Sequence, residues 1–197
     1  MTSQQVSATP FERGVVTAIH QGDCLVGGEE DLTYSTILGS CVSACVRDVE
    51  ARVGGMNHFL LAEPSGSARD RFGVSARYGA FAMEQLINKV LTRGSGRKSN
   101  LEIKIFGGGM INAALSDVGA KNIQFVRQFL GDEGYLVANE DVGGTFARRV
   151  MYKPHSGRAL VKRLDANAAN TVATEELSIV SRRAAPQPPP ADDIELF

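Results

Sequence analysis

Short apolar runs separated by turn residues occupy most of the chain, and this pattern predicts a strand-rich fold. Residues 15–19 and 24–26 flank Gln21-Gly22-Asp23, which predicts a β-hairpin. Residues 36–46 and 53–61 are apolar and rich in β-branched side chains, so we expect them to pair as neighbouring strands. Later runs of the same kind predict further short strands at 101–106, 135–139, 146–152 and 159–164.

Apolar residues recur at helical spacing in two segments. Residues 78–91 are followed closely by Arg93-Gly94, and together they predict an amphipathic helix that a glycine terminates. Residues 119–130 predict a second amphipathic helix that ends before Gly131. Strands and helices do not alternate regularly, so the order predicts an α+β fold. We expect a layered sandwich in which two main helices cover a mostly antiparallel or mixed β-sheet.

Composition divides the chain into one domain and two tails. Residues 1–12 are polar and predict a flexible leader. Residues 13–164 carry the predicted elements, and a chain of 197 residues that is 43% apolar can build one substantial core. Residues 165–197 are polar and proline-rich and predict a flexible tail. Its end sets Ile194, Leu196 and Phe197 among acids, so it is either an inert terminus or a segment that docks into a groove on a partner.

Charge and cysteine content narrow the functional classes. The formal net charge is −1, and no long block of like charge predicts binding to nucleic acid. No apolar run approaches the roughly 20 residues that span a bilayer, and the N-terminus lacks the features of a signal peptide. The 3 cysteines cannot all pair within the chain, so reduced thiols are expected. We therefore expect a cytoplasmic protein that is not inserted into a membrane.

Cys41 and His58 are candidates for a nucleophile and its base. If Cys41 begins one strand and His58 ends its antiparallel neighbour, a connection at 48–51 brings the two side chains together. Gly39 and Ser40 allow a tight turn whose backbone N–H groups can bind an oxyanion. The competing interpretation is that Cys41 is a small apolar residue buried in a strand. Both interpretations fit the spacing.

Two other motifs suggest binding sites. With His58, the three cysteines would supply four possible zinc ligands, but Cys41 and Cys45 lie in an apolar strand and not in a zinc-binding turn. Residues 106–110, Phe-Gly-Gly-Gly-Met, follow a predicted strand but lack both common phosphate-loop patterns. The sequence favours a turn of close backbone approach there, and no metal site is predicted.

Four motifs, in this order, resemble those of the chemoreceptor glutamine deamidase family, CheD. They are Leu-Gly-Ser-Cys-Val at 38–42, Gly-Met-Asn-His-Phe-Leu-Leu at 55–61, Lys-Ile-Phe-Gly-Gly-Gly-Met at 104–110 and Glu-Asp-Val-Gly-Gly at 140–144. The resemblance covers residues 13–163. It implies a cysteine-dependent enzyme that converts specific glutamine side chains of chemotaxis receptors to glutamate through a thioester. It implies no metal and no organic cofactor.

The resemblance also implies roles for individual residues. Cys41 would attack the carboxamide, and His58 would protonate the departing ammonia and then activate water. The N–H groups around Gly39 and Ser40 would bind the oxyanion. The family's third catalytic residue is a threonine just upstream of the cysteine, where this chain offers Ser35 and Thr36. On one continuous strand Ser35 shares the face of Cys41, which favours Ser35 and leaves Thr36 for a structural hydrogen bond.

The partners that the resemblance implies are the cytoplasmic helices of methyl-accepting receptors. A CheC-type phosphatase or a response regulator is a further candidate partner. The alternative function is a binding module that has kept the fold and regulates such a phosphatase or a receptor by contact. Release of ammonia from receptor fragments distinguishes the enzyme from the binding module.

Overall fold

The computed structural model describes residues 11, 14–61, 74–111 and 116–184. The strands in this part of the chain are β1 Val15–Ala18, β2 Cys24–Gly27, β3 Leu32–Leu38, β4 Val42–Asp48, β5 Val53–Asn57, β6 Leu101–Gly107, β7 Val137–Val142, β8 Arg148–Tyr152 and β9 Ala159–Arg163. The helices are α1 Val74–Arg93, α2 Ser116–Asp132 and α3 Ala166–Ala184. The predicted leader apart from Phe11, and the chain end with Ile194, Leu196 and Phe197, lie outside the described residues.

The strands form two mixed sheets. One sheet has the order β1-β3-β8-β9 and the other has the order β2-β5-β4-β6-β7. Two pairs, β1 with β3 and β6 with β7, are parallel, and the remaining pairs are antiparallel. The predicted α+β fold with mostly antiparallel sheets is therefore confirmed. The predicted hairpin of β1 and β2 is wrong, because the two strands lie in different sheets.

Two apolar cores hold the layers together. Helices α1 and α2 pack on the outer face of the five-stranded sheet, and the second core lies between the sheets. Strand β4 supplies both, because alternate side chains point to opposite faces of a strand. Val42, Ala44 and Val46 lie in the outer core, whereas Cys41 and Cys45 lie between the sheets. Burial of both faces explains why residues 41–46 are apolar apart from Ser43.

The chain changes sheets between Leu38 and Val42. The single strand predicted at 36–46 is therefore wrong: β3 belongs to one sheet, β4 to the other, and residues 39–41 connect them. The predicted pairing with the following run is confirmed for β4, which is antiparallel to β5. Because residues 35 and 41 do not share a strand, the argument from strand parity that favoured Ser35 does not hold.

The glycine turn at residues 107–109 binds the backbone carbonyls of this connection. The N–H of Gly108 donates to the Cys41 carbonyl at 2.7 Å, and the N–H of Gly109 donates to the Gly39 carbonyl at 2.6 Å. Gly107 and Gly108 have φ values of 106° and 65°, which favour glycine. A Cβ at Gly107 would overlap the carbonyl oxygen of Cys41. The glycine run is thus the turn of close approach that the sequence predicts.

Helix α3 lies in a segment that was predicted to be part of a flexible tail. A flexible tail was predicted from residue 165, but 166–184 are helical. Val172, Ala173 and Glu176 are buried, and their spacing places them on one face of the helix. The proline-rich end of the chain does not determine the structure of this segment, which is rich in alanine, a strong helix former. None of the helices in the described ranges has the length and apolar character needed to cross a membrane.

Candidate active site

A cleft of about 720 Å³ opens where the chain changes sheets. Its lining includes side chains from four separate parts of the chain: Gln21, Thr36, Cys41, His58, Val172 and Glu176. The structure therefore brings the two principal candidates, Cys41 and His58, to one surface. Both are largely buried, with 1% and 7% of their surface exposed.

The backbone explains why Cys41 and His58 meet. Val42 and Phe59 form an antiparallel bridge in which each N–H donates to the other residue's carbonyl at 3.0 Å. Cys41 precedes one member of this pair and His58 precedes the other, so they are diagonal neighbours on one face. Diagonal neighbours of this kind lie within reach of long side chains. The pairing of β4 with β5 thus sets the geometry that the sequence predicts for these residues.

The turn at residues 20–23 fixes the backbone of His58. The N–H of His58 donates to the Asp23 carbonyl at 3.1 Å, and its carbonyl accepts the N–H of Gly22 at 2.7 Å. Gln21, which precedes Gly22 in this turn, brings its side-chain oxygen to 4.0 Å from the sulfur of Cys41. The residues predicted to close a hairpin therefore hold one candidate residue and approach the other.

A hydrogen-bonded chain determines the tautomer of His58. The hydroxyl of Thr36 lies 2.7 Å from the Ile19 carbonyl, which can only accept, so the hydroxyl donates its single proton there. The same hydroxyl oxygen lies 2.9 Å from Nδ1 of His58 and must accept from it. The proton of the neutral imidazole is therefore on Nδ1, and Nε2 carries a lone pair.

Nε2 of His58 is free to act as a base. This nitrogen is buried and has no hydrogen-bond partner among the described residues. Burial lowers the pKa of His58 below its ordinary value of 6.5, and the Ile19 carbonyl and the Glu176 carboxylate oppose that effect in part. An imidazole held neutral near pH 7 can accept a proton from a thiol.

Three consecutive backbone N–H groups point to one place in the cleft. Those of Gly39 and Cys41 each donate to Oε1 of Glu176 at 3.1 Å. The N–H of Ser40 donates to Oε2 at 2.9 Å, and the Ser40 hydroxyl donates to the same oxygen at 2.6 Å. Convergent N–H groups of this kind bind anions. The turn that the sequence predicts as an oxyanion site is, in this structure, bound to a carboxylate.

Asn122 of helix α2 holds the same turn from the other side. Its Nδ2 donates to the Ser40 carbonyl at 2.8 Å, and its Oδ1 accepts the N–H of Leu61 at 2.8 Å. Sequence reasoning missed this residue. A signal was present, because Asn122 shares its helical stripe with Val126 and Leu130, and a polar residue at a core position needs partners.

Thr36, and not Ser35, contacts the imidazole. Ser35 lines the cleft and is 8% exposed, but the hydroxyl oxygen that accepts from Nδ1 of His58 is that of Thr36. The weak sequence preference for Ser35 relied on a strand that continued to residue 41. Since the chain leaves β3 after Leu38, that reasoning is wrong.

The other two cysteines belong to the cores. Cys45 lies between the sheets, where burial raises the pKa of its thiol. Cys24 lies in the outer core, on the opposite side of the five-stranded sheet. The four zinc ligands considered from the sequence are therefore not assembled, and the described ranges contain no cluster of three or more metal-ligating side chains.

Comparison with known proteins identifies relatives along nearly the whole chain. A family model described as CheD, chemotactic sensory transduction, matches residues 60–163. A protein of Ruegeria sp. (strain TM1040), named probable chemoreceptor glutamine deamidase CheD 1, is 45% identical over 190 residues, which cover 95% of this chain and 98% of that protein. A Zymomonas mobilis protein named probable chemoreceptor glutamine deamidase CheD is 42% identical over 183 residues, covering 93% and 95%.

Among solved structures the likeness is weak. The hypothetical protein YfiH of Bacillus licheniformis aligns with a TM-score of 0.38 at 13% identity, covering 62% of this chain and 50% of that one. A similarity of this size carries no argument about the site.

Proposed function

This chain belongs to the CheD family, and from that premise we propose that it is a cysteine-dependent deamidase that converts glutamine side chains of chemoreceptors to glutamate. The names of its relatives support the reaction and the substrate class. One structural observation supports the mechanism: Cys41 and His58 line the same cleft, and the hydrogen bonds of His58 favour the tautomer in which Nε2 can accept a proton.

The first step forms a thioester. The thiol proton of Cys41 passes to Nε2 of His58, and the sulfur attacks the carbon of the glutamine amide. The carbonyl oxygen becomes an oxyanion, which the N–H groups of residues 39–41 stabilise. The imidazolium then returns its proton to the amide nitrogen, the carbon–nitrogen bond breaks, and ammonia leaves.

The second step hydrolyses the thioester. Neutral His58 takes a proton from water, and the resulting hydroxide attacks the thioester carbon. The carbon–sulfur bond breaks, the proton returns to Cys41, and the substrate leaves as a glutamate side chain. The overall reaction consumes one water for each ammonia released and needs no electron transfer.

Thr36 is the third member of the site in this proposal, and its role is to position His58. Because its hydroxyl proton is committed to the Ile19 carbonyl, its oxygen accepts only from Nδ1–H. This arrangement presents the Nε2 lone pair to the cleft, as the orienting residue of a catalytic triad does. Ser35 has no such contact with the imidazole and receives no role.

Deamidation of purified receptor cytoplasmic fragments tests the function. We expect the wild-type chain to release ammonia and to convert particular glutamines to glutamate, seen by peptide mass spectrometry. The variant His58→Ala should lose at least about a hundredfold in rate, because general base catalysis contributes about 10²–10⁴. His155→Ala is the matched control, since His155 contacts the Gly28 carbonyl outside the cleft.

Two outcomes would contradict the proposal. If wild-type protein binds receptor fragments without releasing ammonia, the chain is the binding module that regulates a receptor or a CheC-type phosphatase by contact. If His58→Ala and His155→Ala deamidate at the same rate, the imidazole that lines the cleft has no part in the reaction.

A further inference from the structure

We propose that Glu176 is an intramolecular mimic of the reaction product and that helix α3 inhibits the enzyme by occupying the glutamyl site. The inference depends on the proposed function for the meaning of the site, but the occupancy itself can be tested separately. A substrate glutamine would enter the cleft only after α3 has moved away.

The contacts of Glu176 are those expected of a bound product. Its side chain ends in the carboxylate that deamidation creates, and a helix presents it, as a receptor helix would. Only 4% of its surface is exposed. The four hydrogen bonds to residues 39–41 leave each carboxylate oxygen with two donors. A charged side chain is rarely buried to this extent without partners of this quality.

The occupied N–H groups are the ones that the reaction needs. The proposed oxyanion must bind the N–H groups of Gly39, Ser40 and Cys41, and all three donate to Glu176 in this structure. One set of donors cannot stabilise two anions at the same place. The resting structure is therefore closed to substrate at its catalytic centre.

The carboxylate also acts through its charge. The Glu176 carboxylate accepts the backbone N–H of Cys41 at 3.1 Å, so a second anion that develops at this turn during the reaction meets like-charge repulsion. The carboxylate acts on His58 in the opposite direction, because a nearby carboxylate favours the imidazolium. Loss of this charge should therefore make Cys41 more reactive, in addition to opening the site.

Helix α3 is tethered close to the cleft by a short connection. Only residues 164 and 165 separate it from the end of β9, so its effective concentration at the site is high. Among residues 169–178, the buried apolar side chains are Val172 and Ala173. Glu176 supplies the contact with the N–H groups of residues 39–41, and a glutamine-bearing receptor helix is an occupant of suitable shape to replace it.

Alkylation of Cys41 by iodoacetamide tests the occupancy without any receptor. The full-length wild type, Glu176→Ala and Glu175→Ala are compared, with the Cys41 peptide followed by mass spectrometry. Glu175 is the matched control: it is exposed, adjacent on the same helix and part of the same cleft lining, whereas the N–H groups of residues 39–41 donate to Glu176. We expect Glu176→Ala to react on the order of tenfold faster than wild type and Glu175→Ala to stay within about twofold.

Equal alkylation rates for the two variants would overturn the inference. If Glu176→Ala has a lowered thermal midpoint, Glu176→Gln replaces it, because the amide keeps the size of the side chain and loses the charge. As long as its amide is intact, we expect this variant also to react faster than wild type. The amide introduced by Glu176→Gln can itself be a substrate. If mass spectrometry shows that this amide becomes a carboxylate, and that the conversion is absent when Cys41→Ser is added, α3 is further supported as an occupant of the glutamyl site.

Deamidation kinetics separate this inference from the proposed function. An intramolecular competitor raises KM, so Glu176→Ala should lower KM for a receptor fragment while kcat changes little. If no variant deamidates but Glu176→Ala is alkylated faster, the proposed function fails and the occupancy stands. If wild type deamidates and Glu176→Ala matches Glu175→Ala in KM and in alkylation, the inhibition by α3 is excluded.

Discussion

At the scale of single residues, the hydroxyl of Thr36 decides which nitrogen of His58 is the base. A hydroxyl has one proton to donate, and that of Thr36 forms a hydrogen bond with the Ile19 carbonyl oxygen, 2.7 Å from the hydroxyl oxygen. The imidazole must then donate through Nδ1, which leaves Nε2 unprotonated in the cleft. In the proposed mechanism, Thr36 therefore acts on the proton transfer through His58.

Removal of that hydroxyl should slow catalysis without removing the base. We expect Thr36→Val to lose on the order of ten- to a hundredfold in kcat, less than the loss of His58 itself. The acid limb of the pH profile of kcat/KM should also move to lower pH, because the imidazolium loses an acceptor for Nδ1–H. Thr36→Ser should restore both values. An equal effect of Ser35→Ala would show that Thr36 has no special role.

Burial of His58 also predicts how stability depends on pH. Its folded pKa lies below 6.5, so the unfolded chain binds the proton first as the pH falls. The stability contributed by neutral His58 is fully present above about pH 6.5 and is lost as the pH falls through the folded pKa.

Urea unfolding near pH 7.5 and near pH 5 checks this sign. The wild type should lose more stability than His58→Gln over that interval, since the variant cannot titrate there. If the two proteins lose the same free energy of unfolding, His58 does not carry the predicted change.

At the scale of elements, the site exists because one apolar segment is divided between two sheets. Strand β3 carries Thr36, strand β4 follows Cys41, and the connection between them presents the N–H groups. The glycine turn after β6 and Asn122 of α2 bind the carbonyls of that connection. With its carbonyls fixed on the inner side, the connection points its N–H groups into the cleft.

A side chain at Gly107 should therefore damage both stability and activity. Gly107→Ala meets a positive φ of 106° and an overlap with the Cys41 carbonyl, so we expect a loss of about 1–3 kcal/mol in the free energy of unfolding. Gly131→Ala is the control, because nothing lies within 4 Å of its Cβ and it lies in a helix. Urea unfolding should show Gly131→Ala to be as stable as wild type or slightly more stable. If the two variants change the free energy of unfolding equally, the close approach between Gly107 and the Cys41 carbonyl is contradicted.

At the scale of the whole molecule, local patterns reveal some features and conceal others. The α+β class, the pairing of residues that became β4 and β5, and the glycine turn follow from periodicity and turn chemistry. The change of sheet does not, because residues 36–46 are mostly apolar and almost entirely buried on both sides of it, so no break in the pattern marks the change. The contact of Glu176 with Cys41 joins residues 135 apart, and no local pattern contains that information.

The fold therefore gathers the site from distant parts of the chain. The sequence motifs around Cys41 and His58 indicate the chemistry without a structure. Only the fold shows that Gln21, Asn122 and Glu176 also belong to the site. The same long-range packing that completes the cleft also places Glu176 of α3 against the N–H groups of residues 39–41. A chemoreceptor deamidase built in this way would remain inactive until a receptor helix displaces its own.

The exchange of Cys41 for serine tests the central claim most directly. Receptor fragments are incubated with wild type, Cys41→Ser and Cys24→Ser, and glutamine-to-glutamate conversion is followed by mass spectrometry. Cys24 is the matched control, since it is a reduced thiol in the outer core. We expect Cys41→Ser to lose about three orders of magnitude or more, and Cys24→Ser to remain close to wild type. Deamidation by Cys41→Ser at the wild-type rate would contradict the account.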